Sequence, residues 1–182
     1  MRIVAGAWRG RTLTAPQGGA TRPTADRVRQ ALFDTLLHAP WGGRDLVADV
    51  HALDVFAGTG AFGLEALSRG AARATFIEQD RHALVALRAN IAACRAQDRC
   101  TVLAIDALAA PPGDVAGLVF LDPPYHQDLV PRAIACLHAA GRIAGGTLLV
   151  AETAHDESPP TTRPLLAERV YGAARISIWR ES

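Results

Sequence analysis

The chain has 182 residues, of which 49% are hydrophobic, so one domain of ordinary size can enclose a substantial core. Its formal net charge is only +1, so the overall charge identifies no class of partner. No apolar run approaches the ~18 residues that a membrane span requires, and the first residues lack a signal-type apolar region. We therefore expect a cytoplasmic protein.

The cysteines and histidines do not indicate a metal site. The three cysteines, Cys94, Cys100 and Cys136, are odd in number and form no CxxC pair. The six histidines show no spacing typical of ligands, and only His126 is close in sequence to the candidate site discussed below. The pattern predicts small core cysteines in a reducing compartment and no bound metal.

The first 30 residues are the basic part of the chain. They contain one acid, Asp26, whereas the remaining residues are mildly acidic. Residues 1–16 predict a hairpin around Gly10, and residues 24–38 predict a helix with one mostly apolar face. A basic segment on an acidic body favours a polyanionic partner, and the alternative is a solvated basic tail. The six arginines of this segment are Arg2, Arg9, Arg11, Arg22, Arg27 and Arg29.

From about residue 51, apolar segments of strand length alternate with segments of helical periodicity. Near-continuous apolar strands separated by helices are typical of an α/β fold, with a parallel sheet covered on both faces. Such sheets bind ligands at the carboxyl ends of their strands. Strands are predicted at 52–56, 74–78, 101–106, 117–122, 146–152, 165–171 and 174–180, and helices at 62–68, 81–97 and 127–140.

A glycine-rich loop follows the first of these strands. In DVFAGTGAFG, the residues Gly58, Gly60 and Gly63 satisfy the pattern G-x-G-x-x-G. Glycines there allow a tight turn and close approach of the backbone to a ligand. Glu78 ends the next strand, where an acid can accept hydrogen bonds from ribose hydroxyls. The combination fits a nicotinamide cofactor or S-adenosylmethionine, and the alternative is a structural turn without a ligand.

Two further acids favour S-adenosylmethionine. Asp54 lies at the tip of the first strand, where a carboxylate suits the ammonium of a methionine moiety, directly or through water, and would be unfavourable beside a pyrophosphate. Asp106 ends the third strand and is placed to accept a hydrogen bond from an adenine amino group. Its alternative role is to cap a helix or turn.

The segment DPPY, Asp122–Tyr125, ends the fourth strand. Two prolines stiffen the loop, so that its carbonyls and the Asp122 carboxylate present acceptors in a fixed geometry. Tyr125 offers a flat ring on which a base can stack. Two acceptors beside an aromatic ring suit an exocyclic amino group, whose lone pair could thereby be aimed at an electrophilic methyl group. A rigid turn without chemistry is the alternative.

The stretches MRIVAGAWRGRTL, TRPTADRVRQALFDTL, LDVFAGTGAFGLEALSRGA, FIEQD and LDPPY resemble the RsmD family of methyltransferases, which modify a guanine N2 in bacterial 16S ribosomal RNA. The resemblance runs from Met1 to about Tyr125 and continues more weakly to the final hairpin. It implies a Rossmann-like class I methyltransferase fold: a mostly parallel seven-stranded sheet whose last strand, antiparallel, suits an edge position. Residues 46–182 would form this domain and residues 1–45 an RNA-binding extension, with an unusual insertion before the first strand.

The resemblance also assigns site residues. The cofactor would be S-adenosylmethionine, with Glu78 at its ribose and Asp106 and Ala107 at its adenine. Asp122, Pro123 and Tyr125 would hold the target base. The rest of the cofactor site would be formed by Asp54, Phe56, Gly58, Thr59 and Gly60.

The basic segment would then contact RNA phosphates. Guanidinium groups beside a helix N-terminus suit such contacts, whereas ion pairs with the acidic body are the alternative for each arginine. Trp8 would either stack on RNA or pack against the core. The predicted RNA contacts are Arg9, Arg11, Arg22, Thr24, Arg27 and Arg29.

The sequence therefore predicts a monomeric enzyme that methylates a guanine N2 of 16S ribosomal RNA in an assembling small subunit. Methylation of adenine N6 or cytosine N4 in DNA is an alternative, because the same DPPY loop would serve it. A nicotinamide-dependent oxidoreductase would leave DPPY unexplained, and a catalytically silent RNA-binding protein would not need it.

Overall fold

A single sheet forms the centre of the molecule. The computed structural model describes residues 1–15, 23–158 and 160–182, and for residues 23–25 only the main chain. The strands are β1 (His51–Val55), β2 (Arg73–Ile77), β3 (Cys100–Leu103), β4 (Leu118–Leu121), β5 (Leu148–Ala154), β6 (Ala167–Tyr171) and β7 (Ala174–Arg180). They form one seven-stranded sheet in the order β3-β2-β1-β4-β5-β7-β6. The first five strands are parallel, and β7 runs antiparallel to both its neighbours, which confirms the predicted fold class.

The position of β7 differs from the prediction. The strand lies inside the sheet, between β5 and β6, and β6 forms the edge. The alternation of polar and apolar residues over 175–179 suits an edge strand, but Ser177 is fully buried and Trp179 is 1% exposed. Both faces of β7 are covered at this point, so the polar residue in the pattern does not mark a solvent-facing side.

Helices cover both faces of the sheet. They are α1 (Pro23–His38), α2 (Ala61–Ser68), α3 (Arg81–Ala93) and α4 (Leu129–Ala139). Phe120 packs on one face with α1, α2 and α3, and the next residue, Leu121, packs on the other face with α4. Burial of both faces explains why the parallel strands are continuously apolar. α3 ends before residue 97 because Arg95 adopts a left-handed conformation, with φ 53°. Among the described residues, no helix is long and apolar enough to cross a membrane.

The N-terminal segment folds back on itself and docks on α2. The N–H groups of Ile3 and Leu13 donate to Arg11 and Met1, and a 3-10 turn at Gly6–Trp8 closes the hairpin. The turn therefore precedes Gly10, around which the sequence predicted it. A side chain on Gly6 would place its Cβ 1.9 Å from a main-chain oxygen of α2, so only glycine allows this approach.

The N-terminal hairpin and α1 share the hydrophobic core of the sheet, through Ile3, Leu13 and Phe33. The boundary at residue 45 between an RNA-binding extension and a methyltransferase domain stays a prediction. In the segment that precedes β1, Val47 is fully buried, which ties the unusual insertion to the same core.

Candidate active site

Two cavities meet at the carboxyl ends of the parallel strands, where the sequence predicted a ligand site. The Glu78 cavity, of about 350 Å³, is lined by Glu78, Ile105 and Ala107. The Glu152 cavity, of about 440 Å³, is lined by residues of the glycine loop, by Tyr125 and Tyr171, and by Glu152. Two residues line both cavities and so separate them: Phe56 and Asp122.

The glycine loop and the tip of β2 are joined by Glu78. The Gly58 N–H donates to Glu78 Oε2 at 2.7 Å. The main-chain N–H groups of Gln79 and Asp80 donate to Glu78 Oε1, each at 2.8 Å. Gly58 has φ 54°, and a Cβ built there meets no atom within 4 Å, so its backbone is open to a ligand. Gly60 has φ 77°, and its Cβ would lie 2.4 Å from Leu87. The two glycines therefore serve different needs: ligand access at Gly58 and packing at Gly60.

Asp54 is buried behind the glycine loop, with 1% of its surface exposed. Its Oδ2 accepts a hydrogen bond of 2.9 Å from Gly63 N–H in the first turn of α2, whose N-cap residue Gly60 has no side chain. Burial raises the pKa of Asp54 to about 7, the Gly63 hydrogen bond opposes this rise, and the Glu78 charge adds to it. In this structure Asp54 holds the start of α2, and its contact with a methionine ammonium stays a prediction.

Asp106 caps a turn, which is the alternative to adenine recognition that the sequence left open. Its Oδ1 accepts a 2.9 Å hydrogen bond from Leu108 N–H and so caps the 3-10 turn Ala107–Ala109. Ala107 itself lines the Glu78 cavity. The cap brings the turn to the wall of this cavity, while recognition of adenine by Asp106 stays a prediction.

The DPPY loop lies between the two cavities. Burial raises the pKa of Asp122 well above its ordinary value, and the charges of Glu152 and Asp54 raise it further. The Tyr125 hydroxyl donates a 2.6 Å hydrogen bond to Glu152 Oε1, which fixes the edge of the ring. His126 is exposed and meets Tyr125 edge-on, with 6.4 Å between ring centroids. The loop thus presents the carboxyl group of Asp122 and an oriented aromatic ring to the same space.

Sequence reasoning missed two residues of this site. Glu152 lies near the carboxyl end of the apolar strand β5, much as Asp122 directly follows β4, and that position was a usable signal. Tyr171 lines the Glu152 cavity from the end of β6, and no local pattern singles it out.

The predicted RNA contacts fall into different environments. Arg9 and Arg27 are exposed, as a phosphate contact requires. Arg11 is exposed and donates a hydrogen bond to the last carbonyl of α3. Arg22 and the side chain of Thr24 lie outside the described residues.

Arg29 differs from its predicted place on the RNA-binding surface. It is 2% exposed, forms ion pairs with Asp26 at 2.9 Å and Glu65 at 3.5 Å, and donates a hydrogen bond to the Arg2 carbonyl. It also lines the Glu152 cavity. The reason is that Glu65, itself fully buried on α2, needs cationic partners. Arg29 therefore forms an ion pair with the body of the protein, which was the alternative to RNA binding predicted for each arginine.

Trp8 is half-buried against the core, and its main-chain N–H donates to the Ser68 hydroxyl at 3.0 Å. The Arg99 guanidinium lies 5.1 Å from the centre of its ring. This arrangement matches the predicted packing role, and stacking of Trp8 on RNA is untested.

Comparison with known proteins agrees with this geometry. The model of the family described as "Conserved hypothetical protein 95" matches residues 1–180. Ribosomal RNA small subunit methyltransferase D of Escherichia coli K12 is 40% identical, over 99% of this chain and 89% of that protein. The Haemophilus influenzae protein of the same name is 33% identical, over 99% of this chain and 93% of that one.

Solved structures include a close match. A structure of the methyltransferase yhhF from Escherichia coli superposes with a TM-score of 0.82 at 38% sequence identity, covering 99% of this chain and 97% of that one. The likeness in sequence and the likeness in fold thus extend over the same, nearly complete length. The chain belongs to the RsmD family of small-subunit ribosomal RNA methyltransferases.

Proposed function

We propose that this protein transfers a methyl group from S-adenosylmethionine to the exocyclic N2 of one guanine in 16S ribosomal RNA. The proposed substrate is an assembling small subunit in the cytoplasm, and the proposed active form is a monomer. The observation that carries this proposal is the position of the DPPY loop, where Asp122 lines both the Glu78 cavity and the Glu152 cavity. Family membership supports a ribosomal RNA substrate.

The Glu78 cavity fits the nucleoside part of S-adenosylmethionine, the cofactor of this family. Its walls are partly apolar, from Phe56, Ile105 and Pro123, and suit an adenine ring. Glu78 Oε2 accepts one hydrogen bond from Gly58 and keeps acceptor capacity for a ribose hydroxyl. Because a side chain at Gly58 would extend into open space, the bare backbone leaves room for the ligand.

The Glu152 cavity would receive the base. Tyr125 lines it with a ring held at its hydroxyl, which limits the entropy lost when a base stacks on that ring. Reaching this cavity requires that a stacked base be flipped out of its helix. Arg9 and Arg27 would contact phosphates and hold the RNA while the base enters.

When bound, S-adenosylmethionine supplies a methyl group on a positively charged sulfur. Asp122 would accept a hydrogen bond from the N2 amino group and orient the nitrogen lone pair toward that methyl group. A cation in the Glu78 cavity would lower the raised pKa of Asp122 and favour its carboxylate form, which accepts hydrogen bonds. The amino proton can leave after the transfer, so no strong base is required.

Methyl-labelled S-adenosylmethionine distinguishes this function from its alternatives. Purified protein would be incubated separately with undermethylated small subunits, naked 16S RNA and DNA, and the labelled nucleoside identified after digestion. Label in N2-methylguanosine from subunits supports the proposal, with Asp122→Ala as the inactive control. Label in DNA alone would refute it, and RNA binding without label would indicate a silent RNA-binding protein.

A further inference from the structure

Glu152 lies beside Asp122 on the neighbouring strand. β4 and β5 are parallel, with Leu121 paired to Ala151, so Asp122, which directly follows β4, lies level with Glu152 of β5. Residues directly opposite in neighbouring strands point to the same face. Both side chains accordingly line the Glu152 cavity. Their proximity is also visible in the pKa of Asp122, which the Glu152 charge raises.

The Glu152 side chain is held in place by Tyr125. The hydroxyl of Tyr125 donates to Oε1 at 2.6 Å, so the carboxylate is oriented by the same residue that offers its ring to the base. A carboxylate has about four acceptor positions on its two oxygens. The hydrogen bond to Tyr125 uses one, and the group keeps capacity for further donors.

We propose that Glu152 determines specificity by reading the Watson–Crick edge of the target guanine. This inference rests on the proposed function. Guanine presents two adjacent donors on that edge, N1–H and one N2 hydrogen, and the two oxygens of a carboxylate are complementary to them. Asp122 accepts a hydrogen bond from the second N2 hydrogen, so each of the two acids binds one hydrogen of the amino group.

The same carboxylate rejects the other amino-bearing bases. Adenine has an acceptor, N1, beside its amino group, and cytosine has an acceptor, N3. Placing either acceptor against a carboxylate leaves a buried polar group unpaired, and sites built on such hydrogen bonds discriminate strongly. The DPPY loop alone does not distinguish these bases, since it contacts only the amino group. Glu152 therefore supplies the choice of base that DPPY leaves open.

Substitution of Glu152 by Gln tests this role with a small change in shape. The Gln amide keeps a carbonyl to accept from Tyr125 but places an NH₂ group toward guanine N1–H. We expect kcat/KM on undermethylated small subunits to fall by about 10- to 100-fold, as when a hydrogen bond to a charged group is lost. Affinity for S-adenosylmethionine, measured by calorimetry, should stay within about twofold, because Glu152 does not line the Glu78 cavity. Glu168→Gln, at an exposed acid on β6, is the matched control and should leave kcat/KM unchanged.

A base analogue shows whether Glu152 recognises the base or only supports the structure of the site. Once the labelled guanine is mapped, subunits would be reconstituted with 2-aminopurine at that position, which keeps the N2 amino group but has an acceptor at N1. The wild type should prefer guanine by about 100-fold or more, and Glu152→Gln should reduce this preference by about tenfold or more, because its NH₂ group can donate to N1.

The outcomes are distinct from those that test the proposed function. If the wild type forms no N2-methylguanosine, the proposed function fails. If it forms N2-methylguanosine but methylates 2-aminopurine equally well, the role of Glu152 is refuted by the wild type alone. A folded Glu152→Gln variant with an unchanged preference between the two bases would also refute it and would leave Glu152 as a support for Tyr125.

Discussion

The buried carboxyl group of Asp54 makes the stability of the protein depend on pH in a direction opposite to that of most acids. Its pKa is about 7 in the folded protein against an ordinary value of 3.8, because burial disfavours the charged form. The folded state therefore holds a proton that the unfolded chain has already released. Stability from this group is complete below about pH 4 and is lost as the pH rises through about 7.

The size of this pH effect on stability follows from the difference between the folded and ordinary pKa values of Asp54. Each pKa unit corresponds to about 1.4 kcal/mol, so the protonated Asp54 contributes about 3 kcal/mol more at about pH 5 than at about pH 8. Asp54→Asn removes the titration and keeps an acceptor for the Gly63 N–H. The free energy of unfolding of this variant should consequently fall less between these two pH values than that of the wild type, by about 3 kcal/mol.

Urea unfolding at the two pH values measures this difference directly, in the absence of S-adenosylmethionine. The exposed Asp98 supplies a control, since Asp98→Asn should follow the wild type at both pH values. The reasoning fails if Asp54→Asn and the wild type lose stability in parallel. That result would mean that Asp54 is ionised in the folded protein despite its burial.

Three other substitutions test the remaining assignments. Asp122→Ala should abolish methyl transfer while affinity for S-adenosylmethionine stays within about threefold, and a large loss of affinity in calorimetry would contradict the assigned role. Glu78→Ala should weaken cofactor binding by about 1–3 kcal/mol because hydrogen bonds to a charged group are lost, and unchanged affinity would remove Glu78 from the site. Replacing Arg9 and Arg27 together by Ala should weaken RNA binding and reduce its salt slope by about 2, and an unaltered slope would assign both arginines to other roles.

The strands, and the acidic residues near their carboxyl ends, were largely predictable from the sequence. Strands β1, β2, β4 and β5 are largely buried on both faces and mostly apolar, and an acidic residue lies at or near the carboxyl end of each. Parallel strands bring their carboxyl ends to one edge of the sheet, which is why the sequence alone predicts that Asp54, Glu78 and Asp122 belong to one site. The interior position of β7 was not predictable, because a pattern of alternation reports the sequence of a strand and not its neighbours.

Tertiary structure decided which charged residues are buried in ion pairs and which are exposed on the surface. Arg27 and Arg29 are alike in sequence, but one is exposed and the other is paired with Glu65, which is distant in the chain. The role proposed for Glu152 depends on the register of β4 with β5 and on the hydrogen bond from the Tyr125 hydroxyl, and neither is a local property of the sequence. The sequence by itself predicted the fold class and singled out the glycine loop after β1 and the DPPY loop after β4, because these depend on local patterns. The partner of each buried charge depends on which distant segments meet, and only the folded chain determines that.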